Sequence, residues 1–312
     1  MLNMSLISVV TPCFNEQDNI REIYQTVKKN FNELKIYNYE HIFIDNSSID
    51  NTVTLLKAIA KFDRNVKIIV NSRNFGWIRS PFYGLLQARG DAVIYMAADF
   101  QDPPSLIGDF IRKWEEGYRV VVGAKSQSEE SSVLFFIRKM YYKFSNKIAD
   151  FRLINGFTGF GLYDQSVINI MRQFNDPYPY LRGMITEIGF EIAEVQFKQP
   201  IRQKGISSGS FYRLYDVAML GITTYSKLPL RILSIVGFGS ALLSMLIAII
   251  YIFAKLFFWN LFPLGLSPIL IGSFFFFSLQ MVFLGLLGEY IVSIHHQVLK
   301  RPLVIEKERI NF

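Results

Sequence analysis

Apolar positions in the first part of the chain change repeatedly from continuous runs to a helical stripe. Leu6–Thr11 is a mainly apolar run ended by Pro12, which predicts a strand buried on both faces. Ile20, Ile23, Tyr24, Val27, Phe31 and Leu34 then recur at three and four, marking one face of a helix. His41–Ile44 predicts a second strand, followed by a helix from about Asp50 with Val53, Leu56 and Ile59 inward. Val66–Val70 is the third strand, and another helix precedes the Gly90-Asp91 turn. Ala92–Met96 is the fourth strand, Asp102-Pro103-Pro104 opens a helix with proline in its first turn, and Val120–Gly123 is the fifth strand.

This alternation predicts an α/β fold with a doubly wound, mainly parallel sheet and right-handed crossovers. Such sheets bind ligands beyond the carboxyl ends of their strands. Four successive exits carry acids or amides: Asn15-Glu16, Asp45-Asn46, Asn74, and Asp99-Phe100-Gln101-Asp102. Helix capping accounts for Asp50 or Asp102 singly, but four such exits together favour a polar ligand site.

The pattern changes after Leu228. Ile232–Ala254 holds 23 residues without a charge, and Leu256–Gly288 holds 33 more. About 20 apolar residues span a bilayer, so two transmembrane helices are expected. Lys227 and Arg231 precede the first span, while Lys300, Arg301, Lys307 and Arg309 follow the second. The positive-inside rule places both ends in the cytoplasm and the Leu256–Pro268 connection outside. A single span with a re-entrant segment is the competing arrangement, because Asn260, Pro263 and Pro268 interrupt the second stretch.

Composition adds little to this picture. The 312 residues are 51% hydrophobic with a mean hydropathy of +0.24, and the excess lies after Leu228. No signal peptide is visible, which agrees with a cytosolic N-terminal domain. The single cysteine, Cys13, excludes an internal disulfide framework. The net charge of +7 does not predict a nucleic-acid partner, since the basic residues form no helical face or stripe of that kind. Several lie in Arg202–Arg231, ahead of the first span, where they suit contact with the lipid bilayer. Neither common phosphate-cradling glycine loop is present, which disfavours kinase-like and nicotinamide-binding readings. Acids at strand exits instead suit a divalent cation, Mg²⁺ or Mn²⁺, bridging the protein to a diphosphate.

Thr11-Pro12-Cys13-Phe14-Asn15-Glu16, Ile44–Asp50, Asn74-Phe75-Gly76 and Ala98–Pro104 stand in an order and spacing that resembles family-two inverting glycosyltransferases. Arg202–Ser207 and Ser226–Arg231 extend the match to the two spans. Within that family the chain is similar to membrane-anchored polyisoprenyl-phosphate glycosyltransferases, a group related to dolichol-phosphate mannose synthase and to bacterial enzymes of O-antigen and wall glycosylation. The resemblance implies a GT-A fold and transfer of a hexose from a nucleotide sugar, UDP-hexose by preference, to a polyprenyl phosphate with inversion. It places the protein in the inner membrane with a cytoplasmic catalytic domain. The implied divisions are 1–210 for that domain, 211–229 for a juxtamembrane amphipathic helix, 230–294 for two transmembrane helices and 295–312 for a cytosolic tail. Carried over by position, Pro12, Phe14, Asn15, Glu16, Asp45, Asn74 and Asp99 would bind the donor nucleotide. Asp99 and Gln101 would hold the cation, and Lys125, Arg138, Arg202 and Arg213 would receive the acceptor phosphate.

The chain departs from the family pattern in three places. Ala97 stands where the family commonly has a first acid, which puts more weight on Gln101 and Asp102. Thr158-Gly159-Phe160-Gly161 replaces a Gly-Asp-Phe-Arg run whose acid is thought to act as base, leaving Asp164 and Glu187 as substitute catalytic acids beside Asp99, with a structural role as the alternative for each. Ser208 stands where relatives often have lysine. Two rival readings follow: a relative with a non-phosphate acceptor, and a catalytically degenerate nucleotide-binding partner in a membrane glycosylation complex. Val133–Ile148 and Phe211–Lys227 combine aromatic and basic residues and are expected to lie in the membrane interface. Gly285 and Gly288 suit close helix packing between spans or within a homo-oligomer.

Overall fold

The computed structural model describes residues 4–127, 154, 156–200, 219–221, 223, 224, 226, 228–258 and 266–312. Val133–Ile148, Arg138, Arg202–Ser208, Arg213 and most of the 211–227 segment lie outside the described residues.

The expected strands form β1 (Leu6–Cys13), β2 (Asn38–Asp45), β3 (Val66–Asn71), β4 (Ala92–Tyr95) and β5 (Val120–Gln127). Three more complete the sheet: β6 (Phe157–Asp164), β7 (Ile192–Lys198) and β8 (Glu306–Ile310). Their order is β7-β5-β6-β4-β1-β2-β3-β8. β1 pairs in parallel with β2 and β4, and β2 with β3. β6 inserts antiparallel between β4 and β5, while β7 runs parallel to β5 at one edge. The expected mixed, mainly parallel sheet is therefore present.

Helices α1 (Gln17–Leu34), α2 (Thr52–Phe62), α3 (Gly76–Gln87), α4 (Ile107–Glu115), α5 (Gln165–Phe174) and α6 (Leu181–Ile188) flank the sheet. Ile20, Ile23, Val27 and Phe31 of α1 are buried as their spacing predicts. Successive side chains of a strand point to opposite faces, so one strand feeds two cores. Ile7 and Val9 join α1, α2 and α4 on one face, whereas Val10 joins α3, α5 and α6 on the other. Gly84 lets α3 approach that second face closely: a Cβ there would stand 2.8 Å from Ile44 Cγ2.

Two long helices, α7 (Leu228–Phe257) and α8 (Leu266–Val298), follow. Both are long and apolar enough to cross a membrane, and their apolar windows are unburied. Tyr290 Oη donates to the Ser226 carbonyl at 2.9 Å, tying α8 to the segment entering α7. The second helix ends at Val298, four residues beyond the sequence-based boundary. The remaining tail also has a structure that its charged sequence does not announce. β8 pairs antiparallel with β3, Val304 is buried, and Asn311 Nδ2 donates to the carbonyls of Ala60 and Val66 at 2.9 Å each. The tail thus covers an otherwise open sheet edge.

Candidate functional site

The strand exits are stitched to one another by side chains. Cys13 and Asp45 end β1 and β2 in register. The loop after β1 takes its shape from the loop after β2. Asn15 N donates to Ser48 Oγ at 2.8 Å, Ile49 N donates to Asn15 Oδ1 at 2.9 Å, and Glu16 N donates to Thr52 Oγ1 at 2.9 Å. Glu16 is held in turn by Asn19 Nδ2 at 2.6 Å.

Asp45 is fully buried, and its Oδ2 and Oδ1 accept from Ser48 N at 2.9 Å and Ser48 Oγ at 2.5 Å. Burial raises its pKa despite these donors, and the charge of Asp50 adds to the effect. Burial followed by the charge of Asp45 also raises the Cys13 thiol, which therefore stays protonated.

Asn46 links the second exit to the third. Its Nδ2 donates to Asn74 Oδ1 at 2.9 Å and to the Gly76 carbonyl at 3.1 Å. Its Oδ1 accepts from Phe75 N at 2.9 Å and from Asn71 Nδ2 at 3.2 Å. Sequence reasoning grouped Asn46 with Asp45 but did not assign it this role. Its signal was present, since a buried amide needs several partners and polar residues at a neighbouring exit supply them.

After β4, Asp99 Oδ1 accepts from Gln101 N at 3.1 Å, and the buried Asp102 accepts from Ala97 N at 3.0 Å through Oδ2. Asp102 is pushed up to about 6, by burial first and then by the charge of Asp99, against the Ala97 N–H and the charge of Lys125. Three non-glycine residues on these loops adopt left-handed backbone: Asn15 at φ 57°, Ser47 at 65° and Phe100 at 60°. Such conformations cost free energy and persist where surrounding structure imposes them, commonly at functional sites. They fall in the loops that follow β1, β2 and β4.

The wall beyond β4 comes from β5, β6 and α6. Lys125, on β5, is half-buried and close enough to act on Asp102. Gly159, on β6, has φ +112°, and a Cβ there would lie 3.3 Å from Tyr95 Cε1 and 3.4 Å from Leu181 Cδ2. Arg182, beside Leu181, adds a charge that reaches the half-buried Tyr95, whose phenol pKa burial raises. Neither Arg182 nor Tyr95 was singled out from the sequence, because nothing local signals that α6 packs against β6, the neighbour of β4 in the sheet.

The structure carries one of the two substitute acids, Asp164, away from this cleft. Asp164 pairs with Ala92, at the amino end of β4, whereas Asp99 follows its carboxyl end. Its carboxylate caps α5 through Ser166 N at 2.9 Å and accepts from Trp114 Nε1 at 2.9 Å. Glu187 is exposed on the last turn of α6. Of the four expected acceptor-phosphate residues only Lys125 is described, and it stands beside the acid pair.

The donor chemistry fits a divalent cation. Asp99 and Asp102 provide hard carboxylate oxygens close enough for one to raise the pKa of the other, a repulsion that a cation relieves. No group of three or more His, Cys, Asp or Glu suited to a metal occurs among the described residues. Such a cation would therefore share its shell with diphosphate and water, as Mg²⁺ commonly does.

The family model for glycosyl transferase family 2 matches residues 8–174. A putative glycosyltransferase of Bacillus subtilis, CsbB, is 33% identical, covering 98% of this chain and 93% of its own length. The prophage-derived bactoprenol glucosyl transferase of Shigella flexneri is also 33% identical, over 97% of each chain. Among solved structures, the mannosyl-3-phosphoglycerate synthase of Rubrobacter xylanophilus superposes with a TM-score of 0.49 at 19% identity, covering 69% of this chain and 71% of the other.

Proposed function

The chain belongs to glycosyl transferase family 2, and from that membership we propose that it transfers glucose from a nucleotide sugar, UDP-glucose by preference, to a polyprenyl phosphate with inversion at the anomeric carbon. The observation that carries this reading is the likeness to bactoprenol glucosyl transferases over nearly the whole chain, which takes in the helical hairpin as well as the cleft. The cleft geometry supports it.

Pro12, Phe14, Asn15, Glu16, Asp45 and Asn74 line the exits where a nucleoside would lie. Phe14 is 43% exposed there, unusual for a phenylalanine and suited to stacking on a base. Asp99, Gln101 and Asp102 face the diphosphate position. A Mg²⁺ or Mn²⁺ ion bound by Asp99 and Gln101 would supply positive charge for a departing diphosphate.

The phosphate acceptor explains how the reaction proceeds without an acid at Gly159. A phosphate monoester has a second pKa near ~6 and is largely dianionic at neutral pH. One of its oxygens forms the new bond to the anomeric carbon while the bond to the donor diphosphate oxygen breaks, and the electron pair leaves with the diphosphate. No proton needs to be removed. What the protein supplies is orientation and charge, with Lys125 directed at the incoming phosphate. Asp164 and Glu187 have no part in this scheme.

The sheet also supports a membrane hairpin whose two ends share one side of the bilayer. β1 and β8 belong to one sheet although α7 and α8 separate them. Both ends of the hairpin must then lie on the same side of the bilayer, which requires an even number of crossings. Only residues 299–305 join α8 to β8, so the sheet is kept near the membrane surface.

Purified full-length protein with Mn²⁺, radiolabelled UDP-glucose and undecaprenyl phosphate is expected to yield a labelled lipid. Asp99→Asn should reduce the rate by about 10²-fold or more. Intact nucleotide binding with no labelled lipid from any common nucleotide sugar would overturn the proposal.

A further inference from the structure

Arg73 and Arg79 share one aromatic ring. The guanidinium carbon of Arg73 lies 4.1 Å from the Phe75 centroid, and that of Arg79 lies 5.4 Å from it. Arg79 also reaches the tail, where its Nη2 donates to the Pro302 carbonyl at 2.6 Å. Pro302 follows Lys300 and Arg301, both exposed and only a few residues beyond the end of α8 at Val298. Cations from the loop after β3, from α3 and from the end of a membrane-length helix therefore converge.

This cluster has no ion-paired counter-charge among the described residues. Among the described residues no carboxylate forms an ion pair with Arg73, Arg79, Lys300 or Arg301. Arg79 Nε is buried and has no hydrogen-bond partner. Burial, and then the charges of Arg73 and Arg301, lower the Arg79 pKa, while Tyr178 opposes them. A groove of about 340 Å³ runs alongside, lined by Lys300, Arg301, Arg172 and Tyr83. Its one acid among the described residues, Asp176, accepts from Tyr178 N at 2.9 Å, and burial raises its pKa. Arg172 is committed to the carbonyls of Leu86 and Ala88.

Like charges held together without an acid are stabilised by an anion. Their position identifies its source. Lys300 and Arg301 leave an unburied apolar helix at headgroup level, and guanidinium forks match phosphate oxygens. We propose that Arg73, Arg79, Lys300 and Arg301 form a binding site for the phosphate headgroup of an anionic membrane phospholipid, distinct from the acid-lined cleft. Arg73 Nη1 donates to the Asn74 carbonyl at 3.1 Å, so an occupied site holds the β3 end of the cleft against the bilayer. The inference rests on the membrane reading of α7 and α8 and not on the identity of the sugar or acceptor.

Full-length protein in neutral detergent is to be mixed with phosphatidylglycerol or phosphatidylcholine, and the retained lipid counted by native mass spectrometry without nucleotide sugar. Preferential retention of phosphatidylglycerol is expected. Each charge removed in Arg73→Gln, Arg79→Gln or Arg301→Gln should weaken retention about fivefold. The triple variant should lose roughly 10²-fold, and Lys29→Gln, distant on α1, should change nothing. Arg301 is exposed and its side chain makes no hydrogen bond among the described residues, so Arg301→Gln tests the site even if Arg79→Gln disturbs the fold. Unchanged retention in a triple variant of normal melting temperature would overturn the site. Displacement of the phospholipid by millimolar inorganic phosphate would overturn its assignment to lipid. Because the readout uses no donor sugar, failure of the glucosyl-transfer proposal leaves this test standing.

Discussion

The side-chain amide of Asn46 donates to Asn74 Oδ1 at 2.9 Å, and this bond helps join the exits of two strands whose backbones pair in parallel. Asn46 is buried, and its two amide atoms serve Asn74, Gly76, Phe75 and Asn71. Asn46→Ala would strand several of these groups. A destabilisation of about 1–3 kcal/mol is expected. Nucleotide affinity should fall as well, because Asn74 loses its anchor. Thermal melting and calorimetry with UDP measure the two effects, and a variant that melts normally with normal affinity would contradict the role.

Gly159 stands where an acid base would be expected, and its backbone is unsuited to one. At φ +112° a side chain is strained, and the Cβ would crowd Tyr95 and Leu181. Gly159→Asp is therefore expected to lower stability by roughly 1–3 kcal/mol and to leave the transfer rate no higher than in the parent. A melting curve and an initial-rate assay with a polyprenyl phosphate acceptor decide the matter. A faster variant would contradict base-free attack.

His41 supplies a pH dependence unrelated to the site. It is completely buried on β2, its Nε2 lies 2.9 Å from Thr11 Oγ1, and its Nδ1 has no partner. Burial lowers its pKa from 6.5 to about 3. The unfolded chain therefore binds a proton in this range that the folded chain refuses. Stability should fall as pH drops below about 6.5, approaching ~1.4 kcal/mol per pH unit until the folded residue titrates near 3. His41→Phe should flatten the loss between pH 6 and 5 in a denaturant titration series. An unchanged slope would show that another group controls it.

The C-terminal strand makes a testable contribution to the edge. Besides the β3 pairing, Lys57 and Glu308 form an ion pair, and Tyr83 Oη donates to Glu306 at 2.7 Å. Deleting residues 306–312 exposes the backbone of β3. A lower melting temperature and a shift toward larger species in size-exclusion chromatography are expected. A monodisperse truncated protein with the parent melting temperature would show that the edge needs no cover.

Much of the fold was legible because its information is local. The apolar run Leu6–Thr11 and the stripe from Ile20 to Phe31 specify a doubly buried strand and a one-sided helix through periods that any short window contains. The two uncharged stretches are legible for the same reason, since the length of an apolar helix is itself the signal. Asp99 and Asp102 were accessible as polar residues at the exit of an apolar strand.

Other features depend on which distant segments meet. β8 reads as a charged tail, Glu306-Lys307-Glu308-Arg309, and becomes a strand because the open edge of β3 supplies hydrogen-bond partners. Asp164 stood in the sequence as a substitute for the missing acid. The antiparallel pairing of β6 with β4 instead carries it to the opposite end of the sheet, where it caps a helix. Arg182 and Tyr95 are 87 positions apart, and only the packing of α6 against β6 brings their charge and phenol together. Periodicity and charge thus determined the first five strands with their helices, the two long apolar helices and the acidic exits from the sequence alone. The pairing direction of β6, the closing strand β8 and the residues facing the cleft were decided by tertiary structure, because sheet hydrogen bonds and through-space charge depend on neighbours that no local window contains.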